Sequence, residues 1–374
     1  MNIGIVCYPT YGGSGVVATE LGKELAKKGH QIHFISYSQP VRLESFTKNI
    51  QYHEVNVSDY PLFDYPPYEL VLASKLVDVV KFEKLDILHV HYAIPHASSA
   101  YMAQQILKSE GIDIPFITTL HGTDITLVGR DSSFEPVITF AINQSNAVTT
   151  VSESLKRDTY EHFKVTREIQ VIPNFVCLRE CGTPLNDLNL KKSMAPNGEK
   201  ILAHVSNFRK VKRIEDVVKV FIKVRKEIPV KLMLVGDGPE RHLAETMIRE
   251  AGFTKDLIVL GKVNDTARVL SIADLFLLTS ESESFGLAAL EAMAVGVPVI
   301  SSNTGGIPEV NKHNFSGFLS HVGDTKDMAK NALSLLQNDE KLDLFKKQAY
   351  EQAQQFDILT ILPMYEKLYD SVLK

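Results

Sequence analysis

The stretch Leu275–Ser302, which reads LFLLTSESESFGLAALEAMAVGVPVISS, decides the fold. An apolar run at Leu275–Thr279 predicts a strand that leads into a polar loop, and Gly286 then opens an apolar helix. A Gly-Val-Pro step follows and runs into a second apolar strand. A strand, a helix and a strand in this order are typical of a βαβ unit, in which the helix crosses between two parallel strands.

The same alternation extends along the chain in both directions. Seven strand candidates, from Asn2–Tyr8 to Gln170–Pro173, precede a segment rich in Gly, Pro and Asn, and five more follow it, from Lys200–Ser206 to Val297–Ser301. Most of these runs are continuous Val, Ile and Leu, which favours parallel strands covered by helices on both faces. The sequence therefore predicts the α/β class, with two Rossmann-like parallel-sheet domains that face a cleft.

The domain boundaries follow from where this alternation is interrupted. We predict a first domain over residues 1–176, a linker over 177–199 and a second domain over 200–355. The segment 356–374 has no strand pattern and predicts a C-terminal helix that packs back on the first domain. Ligands of open parallel sheets bind at the carboxyl ends of the strands, so two such sheets would contribute the two walls of one cleft.

Composition and charge narrow the classes of protein that fit. A formal net charge of -5 and a pI of about 6.2 give no overall attraction to nucleic acid or to an anionic membrane. Three cysteines are too few for a disulfide scaffold. With no signal-peptide pattern and no apolar run of ~20 residues, the sequence predicts a cytoplasmic protein that binds neither nucleic acid nor membrane.

A glycine-rich turn follows the first strand. Gly12, Gly13 and Ser14 stand where a helix begins, and the free amides of a helix start favour an anion. The G-x-G-x-x-G spacing and the acidic ribose partner of a dinucleotide site are absent, which disfavours a dehydrogenase. A tight turn with no ligand remains an equal alternative on this pattern alone.

The carboxyl ends of two further strands carry polar side chains. His121 follows an Ile- and Thr-rich strand that includes Thr119, and Tyr92 ends the preceding one. A histidine in this position can donate to an oxyanion or hold a hydroxyl. We expect the nearby His89, His91 and His96 to be structural, because no Cys or acidic residue gives them metal-ligand spacing.

Two motifs of the second half suit a nucleotide-sugar. Arg209, Lys210, Lys212 and Arg213 form a cationic run directly after a strand, where it can clamp a diphosphate. The loop after Leu275–Thr279 contains Glu283, and Glu291 follows about two helical turns later. Carboxylates bind sugar hydroxyls, and the amides of the helix start bind phosphate.

Three segments of the second half together resemble one family. The E-x7-E motif Glu283–Glu291, with Val235–Glu240 and Asn303–Glu309, closely resembles the retaining glycosyltransferases of family four, which have the two-domain GT-B fold. Within that family, Gly12–Gly22, Leu120–Thr126 and His204–Arg213 look most like the enzymes that join N-acetylglucosamine to L-malate. This closer resemblance implies transfer of N-acetylglucosamine from UDP-N-acetylglucosamine to L-malate with retention of the α configuration, the first step of bacillithiol synthesis. It also implies that the first domain binds the acceptor and the second the UDP-sugar.

The resemblance also implies a role for each candidate residue. Lys212 and Arg209 would neutralise the diphosphate, Glu283 would hold a sugar hydroxyl, and Glu291 would hold the ribose. The residues expected in catalysis are Lys212, Arg209, His121 and Glu283. The donor-binding residues would be Gly13, Asn207, Gly236, Val263, Ser284, Phe285, Gly286, Leu287 and Glu291, and the acceptor-binding residues Gly12, Ser14, Tyr92, Thr119 and His121. Asn207 stands where many relatives carry an arginine.

The chemistry implied by the resemblance needs no cofactor. No D-x-D sequence, the usual carboxylate pair for a metal on a nucleotide-sugar, occurs in the chain, so we expect no metal in the reaction. The resemblance implies front-face attack, with the leaving UDP phosphate taking the acceptor proton. A UDP-N-acetylglucosamine epimerase would share the architecture but not the E-x7-E motif, which disfavours it. Other small or lipid acceptors and a non-catalytic nucleotide-sugar sensor stay open as alternatives. A homo-oligomer is also left open.

Overall fold

The computed structural model describes residues 1–10, 12–43, 47–57, 67–127, 131–181 and 187–374. The chain divides into two compact units. Unit 1 consists of Met1–Asn174 together with Ile358–Lys374, and unit 2 consists of Phe175–Asp357. No helix in the described ranges is both long enough and apolar enough to cross a bilayer.

Unit 1 is built around one parallel sheet. Its strands are β1 (Asn2–Val6), β2 (Gln31–Ser36), β3 (Ile50–Glu54), β4 (Ile87–His91), β5 (Phe116–Leu120), β6 (Ala147–Thr150) and β7 (Ile169–Val171). Helices connect them: α1 (Gly13–Lys27), α2 (Tyr68–Glu83), α3 (Ser98–Ser109), α4 (Glu135–Gln144) and α5 (Glu153–His162). The seven strands lie in the order β3-β2-β1-β4-β5-β6-β7, and every neighbouring pair is parallel.

Unit 2 repeats the plan with six strands. They are β8 (Lys200–Ser206), β9 (Val230–Gly236), β10 (Leu257–Gly261), β11 (Leu275–Leu278), β12 (Val299–Ser302) and β13 (Gly317–Ser320). The helices are α6 (Leu178–Cys181), α7 (Leu188–Met194), α8 (Ile214–Glu227), α9 (Arg241–Glu250), α10 (Thr266–Leu270), α11 (Leu287–Ala294), α12 (Ile307–Val310), α13 (Thr325–Leu336) and α14 (Asp339–Gln354). The strand order is β10-β9-β8-β11-β12-β13, again parallel throughout.

A last helix, α15 (Ile358–Leu373), belongs to unit 1 although unit 2 precedes it in the chain. Tyr365 and Tyr369 on this helix are fully buried. The Tyr369 hydroxyl lies 2.8 Å from Nδ1 of His89 in the centre of the sheet. Helix α15 is thus part of the core of unit 1.

The predicted fold class is confirmed, because both sheets are parallel and alternate with helices. The segment 177–199, expected to be a linker, is grouped with unit 2, and its residues 182–186 lie outside the described ranges. Helix α7 in this segment is held by Lys191, whose ammonium bonds both oxygens of the buried Asp274 carboxylate at 2.9 and 3.0 Å. One strand, β13, was not predicted.

The strand order places the ligand sites. In each sheet the order reverses beside the first strand, between β1 and β4 in unit 1 and between β8 and β11 in unit 2. Connections leave these two strands in opposite directions, which opens a crevice at their carboxyl ends. The loops that follow β1, β4, β8 and β11 are therefore where ligands are expected.

Candidate functional site

A buried histidine, His204, fixes the conformation of the loop after β8. Nδ1 of His204 lies 2.9 Å from the Leu277 carbonyl, so it carries the proton, and Nε2 accepts from the Ser206 hydroxyl at 2.8 Å. Burial lowers the pKa of His204 to about 4, so the ring is neutral. The Ser206 oxygen in turn accepts from the Phe208 amide at 3.2 Å, and Phe208 has a positive φ of 39°.

This loop is also tied to the loop after β11. The Thr279 hydroxyl lies 3.1 Å from the carbonyl oxygens of both Lys212 and Arg213, and the Glu281 amide donates to the Val211 carbonyl at 2.8 Å. These bonds join the loop after β8, which carries the cationic run, to the loop after β11, which carries Glu283. The two loops form one assembly at the place where the strand order of unit 2 reverses.

The central contact of this assembly is an ion pair. Nζ of Lys212 lies 2.5 Å from Oε1 of Glu283, and the Ser280 hydroxyl donates to the same oxygen at 2.8 Å. The two charged side chains are 22% and 13% exposed. Arg209 and Asn207 are exposed on the same loop, and the Arg209 guanidinium forms no ion pair with any described residue.

Two glycines bring a third loop against Glu283. The Gly306 amide donates to the Glu283 carbonyl at 2.9 Å. A Cβ placed on Gly305 would lie 2.0 Å from that carbonyl oxygen, and one on Gly306 would lie 2.3 Å from the Ser284 carbonyl oxygen. The loop that carries Glu283 is thus packed backbone to backbone, with no room for side chains at these positions.

Helix α11 begins directly after this loop. Its N-cap is Gly286, which has a φ of 95°. The Gly286 carbonyl accepts hydrogen bonds from the Ala289 and Leu290 amides. The first amides of a helix have no intrahelical acceptor, so those around Leu287 can bind an anion. The Phe285 side chain is buried against Phe356, with ring centroids 5.6 Å apart, which leaves only its backbone for a ligand.

Three other donor candidates lie at the periphery of this assembly. Gly236 ends β9 with a φ of 114°, and a Cβ there would lie 1.9 Å from the Ser206 carbonyl oxygen, so the close approach in the structure is to protein backbone. Val263 follows the edge strand β10 and is half-buried. Glu291 lies half-buried in the middle of α11.

In unit 1, the start of α1 meets the end of β4. The Tyr92 hydroxyl donates to Oγ of Ser14 at 2.8 Å, so the proton of the Ser14 hydroxyl is left to point elsewhere. Gly12 and Gly13 are exposed beside them, and Tyr11 lies outside the described residues. A Cβ on Gly15 would lie 2.5 Å from the Tyr8 and Thr10 carbonyl oxygens, so this glycine allows α1 to start close to β1.

Tyr92 has an unusual backbone conformation. Its φ of 86° and ψ of 142° lie in a region that residues other than glycine rarely adopt. Holding this backbone conformation costs on the order of 1–3 kcal/mol. Its amide still donates to the Thr119 carbonyl at 2.9 Å, and the next amide, of Ala93, donates to Oδ2 of Asp124 at 2.9 Å. Strain of this kind clusters at ligand sites, where the surrounding contacts maintain it.

A chain of neutral imidazoles lies beside Tyr92. Nδ1 of His91 lies 2.7 Å from Nε2 of His121, and the His121 and Tyr92 ring centroids are 5.3 Å apart. Burial, with the neighbouring imidazoles, lowers the pKa of His121 to about 3. His121 is therefore a neutral hydrogen-bonding group at pH 7, and it offers no charge to an anionic ligand.

Thr119 is the most deeply buried of the acceptor-binding candidates. It is fully buried, and its hydroxyl is 2.7 Å from both Nε2 of His89 and Oγ1 of Thr149. Its role in binding an acceptor stays a prediction, as do the roles of the other candidates.

Two residues outside the predicted catalytic and binding sets hold the unit 1 site together, and one of them, His91, was expected to be structural. Asp124 is buried and accepts from the Ala93 and Gly122 amides, which joins the ends of β4 and β5, while burial raises its pKa to about 6. His91 is bonded to His121. The sequence carried one signal for His91: it lies two residues after His89 on the same strand, so both side chains lie on one face of β4.

Comparisons with known proteins identify the family of each half. The family described as Glycosyltransferase Family 4 matches residues 11–180. The family described as Glycosyl transferases group 1 matches residues 186–352.

Some curated relatives match over nearly the whole chain. The N-acetyl-alpha-D-glucosaminyl L-malate synthase of Bacillus anthracis is 48% identical over 376 residues, which covers 100% of this chain and 98% of that protein. The alpha-monoglucosyldiacylglycerol synthase of Streptococcus pneumoniae is 25% identical, over 94% of this chain and 85% of that protein.

Solved structures share the fold. Anabaena Alr3699/HepE, in complex with UDP and glucose, matches with a TM-score of 0.83 at 19% identity, covering 99% of this chain and 100% of that chain. Sucrose-phosphate synthase from Thermosynechococcus elongatus matches with a TM-score of 0.81 at 20% identity, covering 99% and 98%. With two parallel-sheet units and a full-length relative at 48% identity, the chain belongs to the family-four glycosyltransferases and has the GT-B fold.

Proposed function

We propose that this enzyme transfers N-acetylglucosamine from UDP-N-acetylglucosamine to the hydroxyl of L-malate, with retention of the α configuration. The product would be N-acetyl-alpha-D-glucosaminyl L-malate, and the reaction the first step of bacillithiol synthesis. The observation that carries this proposal is the 48% identity, over the full length of both chains, to the Bacillus anthracis synthase. The reaction would take place in the cytoplasm.

The donor side of the proposal rests on unit 2. Lys212 and Arg209 would neutralise the diphosphate, and the amides of Ser284–Leu287 would add donors from the start of α11. Glu283 would exchange part of its contact with Lys212 for a hydroxyl of the sugar, and Glu291 would hold the ribose. Asn207, Gly236 and Val263 of unit 2 would complete the donor site, and Gly13 is the one donor-binding candidate that belongs to unit 1.

The acceptor side rests on unit 1. Because Ser14 already accepts a hydrogen bond from Tyr92, its own proton is available for a malate carboxylate. The amides near Gly12 at the start of the 15-residue helix α1 favour the same negative charge. The neutral His121 would hydrogen-bond the malate hydroxyl or the sugar. Thr119 would contribute to acceptor binding from its buried position on β5.

The proposed chemistry balances without a further reagent. The bond from the anomeric carbon to the UDP oxygen breaks, and a bond from the malate hydroxyl oxygen to that carbon forms on the same face. The hydroxyl proton passes to the leaving diphosphate. Catalysis then depends on holding the two substrates in position and on stabilising the negative charge that develops on the diphosphate.

Release of UDP tests the proposal directly. Purified enzyme with UDP-N-acetylglucosamine is expected to release UDP when L-malate is added, and the product is expected to have the α configuration. D-malate, other small hydroxy acids and diacylglycerol serve as comparison acceptors. Faster release with one of these would overturn malate as the substrate, and saturable donor binding without release under any condition would identify a nucleotide-sugar sensor.

Chelation is expected to leave turnover unchanged. The charge of the diphosphate would be met by Lys212, Arg209 and backbone amides, so no divalent ion is needed for the reaction. UDP release should be the same before and after treatment with EDTA and desalting. Loss of turnover that Mg2+ or Mn2+ restores would show that a metal, and not these cations, binds the diphosphate.

Removal of the Ser14 hydroxyl is expected to affect the acceptor more than the donor. A hydrogen bond to a charged group contributes about 1.5–3 kcal/mol, so Ser14→Ala should raise the KM for malate by about 10- to 100-fold. The KM for UDP-N-acetylglucosamine should change little. Ser145→Ala is a matched control, because Ser145 is a buried serine of unit 1 whose hydroxyl bonds Thr118. An equal effect on both substrates would place Ser14 outside the acceptor site.

A further inference from the structure

A second cluster of polar side chains lies in unit 1, outside the proposed acceptor site. Nδ1 of His33 on β2 is 3.0 Å from Nε2 of His53 on β3. One carboxylate oxygen of Glu83, at the end of α2, and one ring nitrogen of each histidine lie within 4.8 Å of one another. Across the described ranges, this is the one group of three His, Cys, Asp or Glu side chains whose ligand atoms approach one another so closely.

The fold brings these three side chains together on one face of the sheet. In the register of β2 and β3, Ile35 is opposite His53, and side chains two residues apart on a strand share a face. Ile35 packs in the same core cluster as Leu76 and Val80 of α2. His33 and His53 therefore face α2, whose last residue is Glu83.

The donor set matches that of a known class of metal site. Two imidazole nitrogens and one carboxylate oxygen are ligands that Zn2+ prefers, and three protein ligands leave one position for water. Nitrogens bound to one tetrahedral zinc at 2.0–2.1 Å stand roughly 3.3 Å apart. The two hydrogen-bonded nitrogens, 3.0 Å apart, are close to that spacing. Binding also requires both rings to turn their lone pairs toward the ion and the Glu83 carboxylate to approach it.

We propose that His33, His53 and Glu83 form a binding site for a divalent transition metal ion, with Zn2+ as the best-fitting ion. In the metal-free chain one facing nitrogen donates its proton to the other. On binding, that proton moves through solvent to the outer nitrogen of the same ring, so both facing nitrogens present lone pairs to the ion. Glu83 supplies one negative charge and the third ligand.

The position of the site indicates a structural role. His33 is three residues before Ser36, where β2 ends, which places the ion about 10 Å from the carboxyl edge of the sheet. β3 is the edge strand, so the ion would attach the edge of the sheet to α2. It would stabilise unit 1 without contacting the substrates.

Zinc binding by matched variants tests this inference. Untagged full-length protein is stripped with EDTA, desalted and titrated with ZnCl2 by calorimetry, and CoCl2 is used as a spectroscopic probe. We expect one Zn2+ per chain, a visible Co2+ ligand-field spectrum, and a higher Tm with Zn2+ present. His53→Gln and Glu83→Gln should each weaken Zn2+ binding by about tenfold or more and remove the rise in Tm.

The variants are chosen to keep the fold. Glutamine at 53 can still hydrogen-bond His33, and glutamine at 83 has the shape of glutamate, so near-ultraviolet circular dichroism should match the parent. His242→Gln, which removes an exposed histidine of unit 2, should bind Zn2+ as the parent does. Absence of Zn2+ binding by the parent, or parent-like affinity in both site variants, would overturn the proposal. Because Zn2+ binding is measured without UDP release, it still tests this inference if the proposed function is wrong.

Discussion

Replacing Lys212 with alanine is expected to lower kcat by about 10²–10³-fold while the fold stays intact. Removing one donor that stabilises developing negative charge typically costs about 2.7–4 kcal/mol in the transition state. In this chain the loss would be compounded, because Glu283 would lose its 2.5 Å partner and present an unpaired carboxylate to the diphosphate. UDP release under saturating L-malate measures the effect, and circular dichroism verifies the fold.

Lys210→Ala is the matched control for Lys212→Ala. Lys210 lies in the same loop and carries the same charge, but it is exposed and forms no ion pair with any described residue. Its loss should change kcat by less than about twofold, because Lys210 is not among the cations proposed to contact the diphosphate. Near-normal turnover in Lys212→Ala, or an equal loss in both variants, would mean that the phosphate is held elsewhere.

Gly305→Ala is expected to reduce kcat/KM for the donor by about 10²-fold or more. The new Cβ would lie 2.0 Å from the Glu283 carbonyl oxygen, so the loop has to move by more than about 1 Å. A misplacement of 1 Å in an active site can cost about 10²-fold in rate. Steady-state kinetics with varied UDP-N-acetylglucosamine measures this loss.

A second glycine separates this steric effect from backbone strain. Gly252 has a φ of 79°, comparable to the 55° of Gly305, but a Cβ there meets nothing within 4 Å. Gly252→Ala should therefore lose roughly 1 kcal/mol of unfolding free energy, as alanine pays for a left-handed conformation, with kcat/KM unchanged. If Gly305→Ala keeps parent-like kinetics, the position of Glu283 does not control donor use.

The sequence predicted the strands whose apolar runs are long, and it failed where pairing alone makes a strand. Lys200–Ser206 was predicted with the bounds it has in the structure. Gly317–Ser320 has only two apolar residues, and it becomes β13 because Gly317 can pass within contact of the Val299 backbone in β12. No local pattern of side chains encodes that close approach.

For the candidate site, the sequence predicted positions better than contacts. Lys212 and Glu283 were singled out because each follows a strand, which parallel topology brings to one edge of a sheet. Their direct ion pair depends on the positive φ of Phe208 and on bonds from Thr279, which no spacing rule contains. Likewise, the buried carboxylate of Asp124 and the bond from His91 to His121 arise from burial that only the fold defines.

Helix α15 has a consequence for how the chain is made. The first 174 residues, which form most of unit 1, leave the ribosome before the helix that carries Tyr365 and Tyr369 exists. At synthesis rates of about 5–20 residues per second, the wait for it is roughly 10–40 s. The part of unit 1 that these two tyrosines contact, which includes His89 of β4, stays uncovered during that time. Unit 2, although second along the chain, is therefore the first that can complete its core.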